Sequence, residues 1–134
     1  ILTPHEGEAL RLLGDDKTAE AWDGDRLALG LRLSERFERP VLLKGAGNLI
    51  CVDGQVLLIP GCARVLARGG SGDLLAGLIA ALAARGLPLL DAVHVAVRLQ
   101  LAAAVHFGKG RAETASQKQI AEALAQEWQA FYDS

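Results

Sequence analysis

Methionine is missing from all 134 residues, position 1 included. Translation starts with Met, so the chain is processed, engineered, or the later part of a longer polypeptide. Ile1-Leu2-Thr3-Pro4 favours the last, because it reads as the tail of an apolar strand running into a proline loop without a polar lead-in. Cysteine is scarce: Cys51 and Cys62 stand eleven positions apart with no His or Cys at ligand spacing, which excludes a zinc-finger pattern or a disulfide framework. Two reduced thiols and a cytoplasmic protein are expected. There is no excess of positive charge, with 14 Lys+Arg against 16 Asp+Glu, so no footprint for nucleic acid exists. Apolar runs such as Leu74 to Ala84 fall short of the roughly 18 residues of a membrane span. No charged segment leads into an apolar one as in a signal peptide. With 51% apolar and 22% charged residues and no long polar tract, one packed domain is expected.

Periodicity then lays out the elements. Glu6 to Leu13 suits a short helix closed by Gly14, and Arg26 to Phe37 an amphipathic helix ending before Pro40. Val41-Leu42-Leu43 reads as a buried strand halted by Lys44-Gly45-Ala46-Gly47. Leu49 to Val52 and Gln55 to Ile59 flank Asp53-Gly54, a type I′ hairpin signal. Pro60 to Gly72 reads as a functional loop. Asp73 to Arg85 reads as a helix buried on most sides and stopped by Gly86. Pro88 opens another helix with a polar stripe of Asp91, His94 and Arg98, continuing to about Phe107 and ended by Gly108 and Gly110. Ser116 caps a last amphipathic helix carrying Ile120, Leu124, Trp128 and Phe131. Five helices with three or four strands make an α/β protein whose sheet is short of strands, and the missing portion is expected before Ile1.

Two segments carry the chemistry. Gly69-Gly70-Ser71-Gly72-Asp73 runs straight into a helix, so successive N–H groups and the helix dipole converge on one point as a phosphate or oxyanion cradle. Asp73 repels anions there and so serves as a general base or a contact to a metal-bridged phosphate; the plainer alternative is an ordinary acidic helix start. Lys44-Gly45-Ala46-Gly47-Asn48 follows the apolar strand, where ligands of α/β sheets gather and glycines admit a nucleotide; a flexible turn is the alternative. Neither a Walker A loop nor a dinucleotide fingerprint is present. His5 follows another strand end. Arg64 and Arg68 are candidates for a phosphate contact or for solvated loop charges, and His94 and His106 receive no role.

Thr3-Pro4-His5-Glu6-Gly7-Glu8, Leu43-Lys44-Gly45-Ala46-Gly47 and Gly69-Gly70-Ser71-Gly72-Asp73-Leu74-Leu75-Ala76-Gly77, in this order, resemble the ADP-dependent NAD(P)H-hydrate dehydratases of the ribokinase-like superfamily. The likeness covers essentially the whole chain and the C-terminal half of the family's domain, residues 1–134 here. It implies a three-layer α/β/α fold and the ADP-dependent dehydration of hydrated NADH or NADPH (NADHX, NADPHX), with Mg²⁺ assisting and AMP and phosphate released. It also implies nucleotide contacts at Lys44, Gly45, Ala46, Gly47, Asn48, Gly70, Ser71 and Gly72, and substrate contacts at His5 and Asp73. Asp73 is then the catalytic base, taking the proton of the substrate hydroxyl as its oxygen attacks the β-phosphate, and no residue is assigned as a metal ligand. A homo-oligomer, no membrane or nucleic-acid partner, and an epimerase domain upstream belong to the same expectation, as does inactivity of these 134 residues alone. Asn48 stands where the family usually has Thr, and Cys62-Ala63-Arg64-Val65-Leu66-Ala67-Arg68 replaces the family's Gly-Asn-Pro-Gly-Met-Ala-Thr. The competing readings are a small-molecule kinase of the same superfamily and a partial domain that only binds nucleotide or supports oligomerisation.

Overall fold

The computed structural model describes residues 1–14, 24–67, 69–107 and 115–133. The chain divides into two units, Ile1–Gly61 and Cys62–Ser134.

In the first unit, α1 (Glu6–Leu13) and α2 (Arg26–Phe37) precede β1 (Val41–Leu43), β2 (Asn48–Val52) and β3 (Gln55–Ile59). These strands form an antiparallel sheet in chain order, with Val41 opposite Cys51 and Leu49 opposite Leu58. On its other edge β1 takes a parallel neighbour: Leu2 bridges Val41 and His5 bridges Lys44, and Leu42 and Lys44 donate their N–H groups to the carbonyls of Leu2 (2.8 Å) and Pro4 (2.9 Å). The opening residues are therefore strand-like, as their composition suggests. Both central residues of the β2–β3 turn, Asp53 (φ 50°) and Gly54 (φ 73°), are left-handed, the geometry of a type I′ turn. Alternation along β1 and β2 turns Val41, Leu43, Leu49 and Cys51 toward Ala9 and Leu10 of α1 and Leu29 and Leu33 of α2. Leu42 and Ile50, on the opposite face, are equally apolar, the pattern of a sheet covered on both sides in a three-layer α/β/α fold. Helix α2 approaches closely at Gly30, where a Cβ would lie 2.5 Å from Cys51 Sγ.

The second unit holds a 3₁₀ turn (Arg64–Ala67), α3 (Ser71–Ala84), α4 (Leu89–Val105) and α5 (Gln117–Tyr132). Its core is Val65, Leu99, Ala103, Ala104, Ala115, Ile120, Ala123 and Leu124, where alanines let helices approach closely. Gly86, at φ 97°, follows the C-cap of α3, and Ser116 opens α5 in a reciprocal capping box with Gln119. Asp91, His94 and Arg98 form an exposed stripe on α4.

Three expectations are corrected. The stretch from Pro60 to Gly72 is not all loop, because Val65 is buried and anchors the 3₁₀ turn, with Leu66 donating to the Ala63 carbonyl. Helix α3 begins at Ser71 rather than Asp73 and buries one stripe, Ser71, Leu75, Ile79 and Leu82; Ala76, Gly77, Ala80 and Ala81 are exposed. Helix α4 stops at Val105, where the His106 ring meets Glu127 of α5 (Nε2 to Oε1, 2.6 Å). Gly108 and Gly110 lie outside the described residues. Among the described residues no helix is long and apolar enough to cross a membrane.

Candidate functional site

The residues singled out in the sequence fall into two groups, one in each unit. The first stands at the end of β1. The parallel bridge sets His5 beside Lys44. His5 is also the N-cap of α1: its Nδ1 accepts the N–H of Glu8 (3.2 Å), while its own N–H donates to Glu8 Oε2 (2.8 Å). The Glu8 carboxylate further faces His5 Nε2 at 3.5 Å and Lys44 Nζ at 3.9 Å. The hydrogen bond from the His5 backbone is the largest influence and, helped by the charges of His5, Lys44 and Arg11, holds the Glu8 carboxyl below its ordinary value of 4.5 although burial pushes the other way. His5, Glu8 and Lys44 thus form one polar cluster, with His5 the most exposed at 55% and Lys44 the least at 24%.

Arg26 of α2 fixes the neighbouring loop. Its Nη1 donates to the Ala46 carbonyl and its Nη2 to the Gly47 carbonyl, both at 2.9 Å, while Nε lies 2.5 Å from Glu6 Oε1. Gly47 adopts φ 79° and donates its N–H to the Gly61 carbonyl (3.3 Å). With the N–H groups of Lys44 and Gly47 spent, the loop offers a ligand the Lys44 ammonium, the N–H groups of Gly45 and Ala46, and the Asn48 side chain. Sequence reasoning missed Glu6, Glu8 and Arg26. His-x-x-Glu has capping-box spacing, which a histidine in place of Ser or Thr disguised. Arg26 reaches carbonyls twenty residues along the chain, and no local pattern encodes that.

The second group is the entrance to α3. Gly70 is its N-cap in the left-handed region (φ 88°, ψ −16°), and among the described residues no side chain makes an N-cap hydrogen bond. Gly72 and Asp73 lie in the first turn, whose N–H groups have no intrahelical acceptor, and their partial positive charge faces outward. The Gly70 N–H has no acceptor among the described residues. Asp73 is exposed. Ser71 is buried and its hydroxyl donates to the Leu66 carbonyl (2.5 Å), so its contribution to a ligand is confined to the backbone. From behind, Gln100 Nε2 donates to the Ser71 carbonyl (2.9 Å) and Gln117 Nε2 to the Gly69 carbonyl (2.6 Å). Arg68 and the Arg64 side chain lie outside the described residues. An open loop of glycines at a helix N-terminus without a capping side chain fits an oligophosphate such as that of ADP. No group of three or more His, Cys, Asp or Glu side chains suited to a metal occurs among the described residues.

Comparison with known proteins gives the same direction. The family model for NAD(P)H-hydrate dehydratase matches residues 1–126. The bifunctional NAD(P)H-hydrate repair enzyme Nnr of Vibrio cholerae is 42% identical over 109 residues, 78% of this chain and 21% of that protein. The ADP-dependent (S)-NAD(P)H-hydrate dehydratase of Xanthomonas campestris is 41% identical over 110 residues, 76% of this chain and 37% of that protein. Among solved structures, the ADP/ATP-dependent NAD(P)H-hydrate dehydratase of Bacillus subtilis, co-crystallized with ATP/Mg²⁺, superimposes with a TM-score of 0.81 at 28% identity, covering 97% of this chain and 47% of that one. A ribokinase-like superfamily protein of Enterococcus faecalis gives 0.78 at 26% identity, covering 96% and 43%. The chain thus spans less than half the length of each of these proteins.

Proposed function

Since the chain belongs to the NAD(P)H-hydrate dehydratase family, we propose that it is the C-terminal part of a ribokinase-like domain that uses ADP to return hydrated NADH and NADPH to the reduced dinucleotides. The observation that carries this reading is the uncapped, left-handed glycine entrance to α3 with an exposed carboxylate at its third residue. Phosphoryl transfer needs donors preset where charge develops and a group to take the proton of the attacking hydroxyl. The N–H groups of Gly70 to Gly72 are the donors. Asp73 takes the proton as the substrate oxygen attacks the β-phosphorus; AMP departs, the hydroxyl has become a phosphate leaving group, and its elimination restores the ring.

In the first unit, Lys44 supplies the positive charge to the nucleotide, Gly45, Ala46, Gly47 and Asn48 line its approach, and His5 contacts the hydrated dinucleotide. Magnesium, when bound, shields phosphate charge. Such an ion is commonly held by one or two carboxylates together with phosphate oxygens; Asp73 is kept here as the base, and no residue of this chain is assigned to the ion. A cytoplasmic homo-oligomer, with an epimerase domain upstream, completes the proposal; the bifunctional relatives support the last point.

The test follows the absorbance of reduced nicotinamide when hydrated NADH meets ADP or ATP. It is run on the 134 residues alone and on the same residues joined to the N-terminal half of a family member. The joined protein is expected to regenerate NADH with release of AMP and phosphate, and the 134 residues alone to be inactive. Accumulation of a phosphorylated hydrate without NADH would assign a kinase instead, and absence of saturable ADP binding in the joined protein would leave a structural module.

A further inference from the structure

We propose that Gln117, the first residue of α5, is a positioning residue that sets the direction of the Gly70 N–H in the anion cradle. The inference rests on the reading of that cradle as a phosphate site. Three observations carry it. Gln117 Nε2 donates to the Gly69 carbonyl at 2.6 Å. In a planar trans peptide the carbonyl of Gly69 and the N–H of Gly70 point in opposite directions, so drawing the carbonyl toward α5 turns that N–H away from it. The Gly70 N–H meets no acceptor among the described residues and stands ready for one.

The second observation is contact. A Cβ at Gly70 would lie 3.3 Å from both Cγ and Cδ of Gln117 and 3.5 Å from Nε2, so the glutamine packs along the side of Gly70 that a side chain would occupy. The left-handed φ of 88° and this packing both select glycine. The third is the other end of the amide. Gln117 Oε1 is buried without a hydrogen-bond partner among the described residues, which is unfavourable in itself. The orientation is therefore fixed by the bond that Nε2 makes: turning the amide over would set oxygen against the Gly69 carbonyl. Gln100 acts in parallel on the Ser71 carbonyl, two peptides further on. Two glutamines from two helices thus hold alternate carbonyls of the cradle from behind, and the N–H groups that develop the anion site are preset before a ligand arrives.

The experiment uses the 134-residue chain, ¹⁵N-labelled, as wild type, Gln117→Met and Gln117→Glu. Met keeps the length without the donor, and Glu replaces the donor by an acceptor while suiting the first turn of a helix. Residual dipolar couplings report the direction of each N–H bond without ligand. In wild type the Gly70 coupling is expected to fit the alignment frame defined by α3, α4 and α5, and in both variants to depart from it while the helix couplings stay unchanged. An unchanged Gly70 coupling in either variant overturns the proposal. Titration with ADP then separates the two readings: where wild type binds, the variants are expected to bind about tenfold more weakly, and equal affinity overturns the positioning role. Failure of wild type to bind, with the Gly70 coupling displaced in both variants, counts against the phosphate site and leaves the orientation by Gln117 established.

Discussion

A Cβ on Gly45 would overlap Arg26 Nη2 and lie 2.9 Å from its Cζ. The guanidinium therefore lies flat against the loop that follows β1, and the glycine is there because the arginine is. Gly45→Ala must push aside a group engaged with two carbonyls and a carboxylate, and a side chain held by several bonds does not yield cheaply. Overpacking of this kind is expected to destabilise the first unit by about 1–3 kcal/mol. Arg26→Ala removes the same bonds, so the two substitutions are expected to be less than additive in a double-mutant cycle followed by denaturant unfolding. Full additivity would show that the contact does not matter.

How far the sequence led is visible around this same loop. The bounds of α1, α2, β1 and β3 and the Asp53-Gly54 turn were legible because each is set by neighbouring residues: a 3.6-residue apolar period, a proline, a glycine stop, a turn dipeptide. The glycine loops were legible as candidate ligand sites for the same reason. What holds them was not. Arg26 acts across twenty residues and Gln117 across forty-eight, distances over which no pattern survives in one sequence. The exposed face of α3 was read as buried because alanine and glycine count as apolar, although small residues bury little area wherever they stand.

Glu8 gives the first unit a pH dependence of known sign. Its carboxyl is held below 4.5 in the folded chain, chiefly by the His5 N–H, so its contribution is present above the unfolded value and is lost as pH falls through the lower folded value. Glu8→Gln keeps an oxygen to accept that N–H and carries no titrating charge. Unfolding free energy measured from neutral pH down to about pH 3 is expected to fall less steeply for the variant on its acid side. Parallel curves would exclude Glu8 as a source of acid sensitivity.

The two thiols are expected to separate in reactivity. Cys62 is exposed, whereas Cys51 is fully buried beneath Gly30, and burial raises its pKa against a small opposing effect of the Arg26 charge. A thiol-specific chromogenic reagent is expected to react at once with one thiol per chain and with the second only at the rate of unfolding. Gly30→Ala, which sets a Cβ 2.5 Å from Cys51 Sγ, is expected to speed that second phase. Rapid modification of both thiols in the wild-type chain would contradict the packing of α2 on the sheet.

Asp73 provides the sharpest separation of folding from catalysis. The carboxylate is exposed at the third residue of α3, so Asp73→Asn removes one favourable interaction with the helix dipole and leaves the core untouched. The loss of stability is expected to be at most about 1 kcal/mol. The same change removes a negative charge from an anion cradle, so ADP is expected to bind as tightly as before or more tightly, as calorimetry would record. Turnover moves the other way. If Asp73 is the base, as proposed, its loss in the joined protein is expected to lower turnover by what a positioned base is worth, on the order of 10² to 10⁴. Retained affinity with collapsed turnover is the signature of a group that acts on the proton rather than on the phosphate. Turnover near the wild-type level would remove Asp73 from the mechanism, and loss of ADP binding in parallel with activity would make it a nucleotide ligand instead.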